Sequence, residues 1–66
     1  MEITLNGAPT LLPDGATVAQ LLVQAGLAER RVAVEVDGAI VPRSAHATQV
    51  LRPGDRVEVV HALGGG

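Results

Sequence analysis

The side chains that could do chemistry in this sequence are few. Ser44 is the only serine, and the chain has no cysteine, lysine or tyrosine. A nucleophile with its base and orienting acid would have to be assembled from Ser44, His46 and a carboxylate. Those two residues sit two apart behind Pro42, a spacing that matches no nucleophile motif. No catalytic side chain is assigned. His46 and His61 lack the spacing and the cysteine partners of a metal site, so no metal ligand is assigned either. Asp14, Asp37 and Asp55 each adjoin a glycine and read as turn formers.

The C-terminal run Gly64-Gly65-Gly66 is different. Three glycines behind a strand add nothing to a core and cost entropy if ordered. They read either as a frayed terminus, as termini commonly are, or as a stem for the Gly66 carboxylate. On the second reading the group is ionised at neutral pH, with a reference pKa of about 3.3–3.7, and can attack an activated phosphate. Its glycine stem can enter a narrow active site of another protein, because there is no Cβ to clash. Extended from Ala62, it would reach about 17 Å. The chain is then a substrate of other enzymes and not an enzyme itself.

Composition narrows the field further. Sixty-six residues make one domain at most, and a chain of that size buries only about 60 % of the surface its unfolded form exposes. The hydrophobic 47 % is Ala, Val, Leu, Ile and one Met, with no aromatic residue. This favours a tight aliphatic core over an aromatic-walled ligand pocket, and no bound cofactor is expected. The net charge of −2 and the missing aromatics argue against nucleic acid. No apolar run approaches the roughly 18 residues of a membrane span, and no signal peptide is evident. A cytoplasmic protein is expected.

Local patterning supplies the elements that must carry the tail. Met1, Ile3 and Leu5 alternate with Glu2, Thr4 and Asn6, as in a half-buried strand. Asn6-Gly7 predicts a type I′ hairpin that pairs Thr10-Leu11-Leu12 back, and Pro13-Asp14-Gly15 ends it. Thr17-Val-Ala-Gln20 forms a capping box, so a helix starts at Val18. Val18, Leu21, Leu22 and Ala25 make its apolar stripe, and Gly26 closes it after about two turns. Val32, Val34 and Val36 face inward on a second strand, with Gly38 turning it into Ala39-Ile40-Val41. Pro42-Arg43-Ser44 then breaks the strand pattern, and residues 45 to 52 read as loop or short strand anchored by Val50 and Leu51. After the turn Pro53-Gly54-Asp55, a last strand buries Val57 and Val59 and exposes Glu58 and Val60. The layout is α+β, a mixed sheet of four or five strands with one main helix on one face. Residues 1–61 form the single domain and 62–66 its tail.

Two stretches add a resemblance: Val32-Ala-Val-Glu-Val-Asp-Gly-Ala-Ile-Val-Pro-Arg-Ser44, and Leu51-Arg-Pro-Gly-Asp-Arg-Val-Glu-Val-Val60 followed by His-Ala-Leu-Gly-Gly-Gly66. In that order, and at those distances from a terminal Gly-Gly, they resemble the ThiS family of sulfur carriers in thiamine biosynthesis. The resemblance covers essentially the full length and implies the ubiquitin-like β-grasp fold. It also implies that an E1-like adenylyltransferase, ThiF, adenylates the Gly66 carboxylate with ATP. Sulfur from a donor such as a cysteine desulfurase then makes a thiocarboxylate, which thiazole synthase, ThiG, consumes. Two departures from the family pattern are Asp37, where Asn is usual, and the extra glycine Gly64. The molybdopterin-synthase small subunit, another Gly-Gly sulfur carrier, and a ubiquitin-like modifier or interaction module remain as alternatives.

An activating enzyme must grip more than a tail. The sheet face away from the helix is expected to show Ala33, Glu35, Glu58 and Val60. Val60 with Ala33, Ala62 and Leu63 would make an apolar patch beside Gly64, Gly65 and Gly66.

Overall fold

The computed structural model describes residues 1–62. The chain runs through β1 (Glu2–Leu5), β2 (Ala8–Leu11), α1 (Val18–Gln24), β3 (Val32–Val36), β4 (Ala39–Val41), a short 3₁₀ helix (Arg43–Ala45) and β5 (Arg56–His61). The strands form one five-stranded sheet in the order β2-β1-β5-β3-β4. β5, last in the chain, lies at its centre, parallel to β1 and antiparallel to β3. Five strands and one helix give the β-grasp layout expected above.

Both hairpins are closed by two-residue turns whose residues need positive φ. Asn6 and Gly7 take φ 51° and 83°, and Asp37 and Gly38 take 49° and 85°. This is the type I′ geometry, in which an Asx-Gly pair is tolerated and matches the twist of the flanking strands. The turns fix the registers Leu5↔Ala8 and Val36↔Ala39, and the registers decide which side chains meet the helix. Pro9 lies in β2, an edge strand, where its missing N–H is harmless.

The capping box forms as expected. Thr17 Oγ1 accepts from the Gln20 N–H at 3.2 Å, and the Gln20 side chain accepts from the Thr17 N–H at 2.8 Å. Two further N–H groups of the first turn are satisfied from outside the helix. Val18 donates to the Gln49 carbonyl at 3.0 Å and Ala19 to that of His46 at 2.8 Å. The segment after β4 therefore seals the N-terminus of α1. Leu51 adds a hydrogen bond to the Ala16 carbonyl, and Thr17 and Val50 form an isolated β-bridge.

The core is aliphatic throughout: Ile3, Leu12, Ala16, Val18, Leu21, Leu22, Val34, Val36, Val41, Leu51, Val57 and Val59. Three local expectations need correction. Val50 is 53 % exposed and anchors nothing with its side chain, because the bridge to Thr17 uses its backbone and leaves only Leu51 pointing inward. Ala25 is exposed, since the helix has already ended and Ala25 is its C-cap. The segment after Pro42 is a 3₁₀ helix where only a break in the strand pattern was expected.

On the sheet face away from α1, Glu35 and Glu58 are directly opposed across β3 and β5. Like charges in that relation repel. Glu58→Gln should therefore raise stability by about 0.2–1 kcal/mol, visible as a higher midpoint in thermal unfolding. Leu21, fully buried beneath the sheet, gives the opposite case. Leu21→Ala should lower stability by about 2–5 kcal/mol, measured by urea unfolding, a large share of what a small domain has.

Candidate functional site

β5 carries the candidate site to the edge of the described residues. Its side chains alternate, Val57 and Val59 inward and Glu58 and Val60 outward, as the sequence pattern requires. The β3·β5 register sets Ala33 directly opposite Val60 and Val32 opposite His61. The ladder runs one residue further, with the Ala62 N–H donating to the Arg31 carbonyl at 2.9 Å. Leu63, Gly64, Gly65 and Gly66 lie outside the described residues.

The sequence-derived interface residues Val60 and Ala33 are thus cross-strand neighbours on the open face, with Ala62 following two residues along the chain. Val60 is 61 % exposed and Ala33 half-buried. Two residues on the same face were not assigned to it from the sequence. Ile40 opposes Glu35 across the Asp37-Gly38 turn and is 66 % exposed; Leu11 opposes Glu2 and is 71 % exposed. The hairpin registers hold the signal that would have found them. A two-residue turn makes Ile40 the partner of outward-facing Glu35, and makes Leu11 the partner of outward-facing Glu2. The open face therefore carries an acidic pair, Glu35 and Glu58, bordered by Ala33, Val60 and Ile40.

The backbone beneath this face is held by the two hairpin tips. Asp37 Oδ1 accepts from the Arg56 N–H at 2.9 Å, while the Asp37 N–H donates to the Arg56 carbonyl at 2.8 Å. Aspartate thus meets the demand of the site where the family pattern has asparagine, since only an acceptor and a left-handed backbone are needed. At the other tip, the Asn6 N–H donates to the Val57 carbonyl at 2.9 Å, and the Asn6 side chain makes two bonds to the Val59 backbone.

The residues weighed for catalysis or metal binding are not brought together as a site. Ser44 is exposed on the 3₁₀ helix. His46 Nε2 lies 3.2 Å from the Val41 carbonyl, within hydrogen-bond distance of the backbone. His46 also lines a groove of about 250 Å³ with Ala19, Leu22, Val23, Ala28, Arg43 and Ala47, on the helix side of the molecule. That volume is below the roughly 300–1,000 Å³ usual for small-molecule sites. Among the described residues, no group of three His, Cys, Asp or Glu side chains is placed to hold a metal. Nor, among them, is any helix long and apolar enough to cross a membrane.

Comparison with known proteins agrees with this geometry. The fold is similar to the crystal structure of a thiamine biosynthesis protein (ThiS) from Geobacter metallireducens, with a TM-score of 0.85 and 32 % identity over the whole of both chains. It is likewise similar to the solution structure of a thiamine biosynthesis protein from the same organism, with a TM-score of 0.78 and 32 % identity over all of this chain and 88 % of that one. Among curated relatives, a thiazole synthase of Magnetococcus marinus is 44 % identical over 66 residues, and a thiazole synthase of Paramagnetospirillum magneticum is 38 % identical over 66 residues. Each alignment takes in all of this chain and 20 % of the relative, so the chain spans about one fifth of the length of these curated relatives. The ThiS family profile matches residues 2–66. By sequence over that span and by fold over its full length, this chain belongs to the ThiS family.

Proposed function

We propose that this chain is a sulfur carrier of thiamine biosynthesis, a protein co-substrate whose reactive group is the Gly66 carboxylate. The observation that carries this reading is the likeness to a thiamine biosynthesis protein over the entire length of both chains. A carboxylate is a poor electrophile, so it must be activated first. An E1-like adenylyltransferase of the ThiF kind would let a Gly66 oxygen attack the α-phosphorus of ATP, with pyrophosphate leaving. A persulfide sulfur, made from cysteine by a desulfurase, then displaces AMP. A thiol cleaves the resulting S–S bond, is itself oxidised to a disulfide, and leaves the thiocarboxylate on Gly66. ATP is consumed in the partner's site, and the carrier itself needs no bound cofactor.

The receiving partner on this reading is a thiazole synthase of the ThiG kind. Two longer chains bearing that name contain a segment similar to all 66 residues of this one. If those chains join a carrier segment to a synthase, the two act at a high effective concentration in place of a bimolecular encounter. The docking surface is the open sheet face at the C-terminal end of β5. Val60 and Ala33 supply apolar contact there, Ala62 and Leu63 continue it, and Gly64, Gly65 and Gly66 thread the partner's active site. Glycine suits that role because a narrow channel can close around a backbone that has no side chains.

Two experiments test this function. The chain is incubated with its cognate adenylating enzyme, ATP, a desulfurase, cysteine and a thiol reductant, then weighed intact. Replacement of one C-terminal oxygen by sulfur is expected; its absence overturns the carrier reading. Removing Gly64, Gly65 and Gly66 together should abolish the conversion while leaving the unfolding midpoint unchanged, because the core described above includes none of them. In the second experiment, Val60→Ser should weaken binding to thiazole synthase by about tenfold, or 1.4 kcal/mol, measured by calorimetry. An exposed substitution of this kind should change stability by no more than about 0.5 kcal/mol. Capture of a large molybdopterin-synthase subunit in place of thiazole synthase would assign the carrier to a different pathway.

A further inference from the structure

β5 needs hydrogen-bond partners on both flanks, yet β1 is too short to supply them all. The parallel pairing of β1 with β5 ends at Leu5↔Val57. Beyond that point the N–H and C=O of Val59 face the β1 side with no strand opposite them. The Asn6 side chain fills this gap. Its Oδ1 accepts from the Val59 N–H at 2.8 Å, and its Nδ2 donates to the Val59 carbonyl at 3.1 Å. A primary amide presents an N–H donor and a carbonyl acceptor side by side in one plane and so imitates the missing peptide unit. Val59 is buried, and Ala62 follows only three residues later. On the other flank the same stretch is held by β3 and by the Ala62 bond to Arg31.

From this geometry we propose that Asn6 is a positioning residue: its side-chain amide holds the end of β5 and so sets the direction in which the chain leaves that strand at Ala62, the direction from which the adenylating enzyme takes it. This rests on the carrier function proposed above. The two hairpin tips differ in a way that supports it. At Asp37 an acceptor alone is needed, and a carboxylate serves. At Asn6 a carboxylate would lose the donor and set a negative oxygen against the Val59 carbonyl. A turn role by itself would not require the amide, because glycine also fits a type I′ turn.

That last point supplies the test. Asn6→Gly keeps the turn and removes the amide; Asn6→Asp keeps the side-chain shape and removes the donor. Kinetics of adenylation, followed by pyrophosphate release, are compared for the wild-type chain, both variants and Val18→Ala, a buried truncation in α1 that serves as the stability control. All are assayed at a temperature where circular dichroism shows them folded. Both Asn6 variants should lower kcat/KM by about tenfold, Asn6→Gly through the loss of both hydrogen bonds and Asn6→Asp through the loss of one and the oxygen–oxygen repulsion that replaces it. The change should fall in KM, because the reacting carboxylate and the enzyme's own groups are untouched. Amide hydrogen exchange should quicken at Val59 in Asn6→Gly, which loses the acceptor, and stay unchanged at Val60, whose amide faces β3. Val18→Ala should leave KM at its wild-type value. Wild-type KM in Asn6→Gly, or an equal rise in KM in Val18→Ala, overturns the positioning role while the carrier reading stands. Failure of the wild-type chain to be adenylated at all overturns the carrier reading and this role with it.

Discussion

The strand on which the sheet depends is the last one to be made. β5 lies between β1 and β3, and removing it would leave two separate hairpins, β1–β2 and β3–β4, with no ladder between them. An isolated two-stranded hairpin is marginal in water, so neither half is expected to persist alone. Burial follows the same geometry. Val57 and Val59 complete an apolar surface that Ile3, Val34 and Val36 begin, and α1 covers it with Val18, Leu21 and Leu22. A helix of seven residues is too short to hold together by itself. Its stability is borrowed from a sheet that exists only once β5 is in place.

With no aromatic side chain to fill space, the core relies on many small aliphatic contacts and on satisfied backbone. The N-terminus of α1 shows how closely the backbone is accounted for. The capping box satisfies the Gln20 N–H from within, and the carbonyls of His46 and Gln49 take those of Ala19 and Val18. The segment between β4 and β5 has little side-chain burial beyond Leu51, yet it is fixed by these bonds and by the Thr17↔Val50 bridge. Its irregular course is what lets it reach the helix end.

This division explains what could be read in advance. Signals that act over a few residues were legible: Asn6-Gly7 for a type I′ turn, Thr17 with Gln20 for a cap, Gly26 for the end of the helix, and alternating valines for β3 and β5. Residues 45 to 52 were not, because their conformation answers to donors on α1, nearly thirty residues earlier in the chain. Val50 looked like a core residue by type, but what it contributes is its backbone. The candidate site divides in the same way. Alternation along β5 and β3 was enough to place Val60 and Ala33 on the open face. That they oppose one another is a matter of register between strands distant in sequence, and so is the reach of Asn6 to Val59 across 53 positions. Ile40 and Leu11 fall between these cases, since each is settled by a hairpin register that its own turn dictates.

Joining the central strand directly to the tail has a mechanical consequence for a carrier. Any force on residues 62–66 is transmitted to β5 along its axis, where it is resisted in shear by the bonds to β3 on one side and by β1 and Asn6 on the other. These bonds must all shift together before the strand can slip, and slipping by one residue would turn Val57 and Val59 out of the core. Under the proposed function, a partner can therefore draw the terminus into its active site while the folded domain stays a fixed body against which to dock. Under the proposed function this separation also accounts for a sulfur-handling protein without cysteine: the sulfur is held on a carbonyl carbon that its partners activate, and the domain has only to present it.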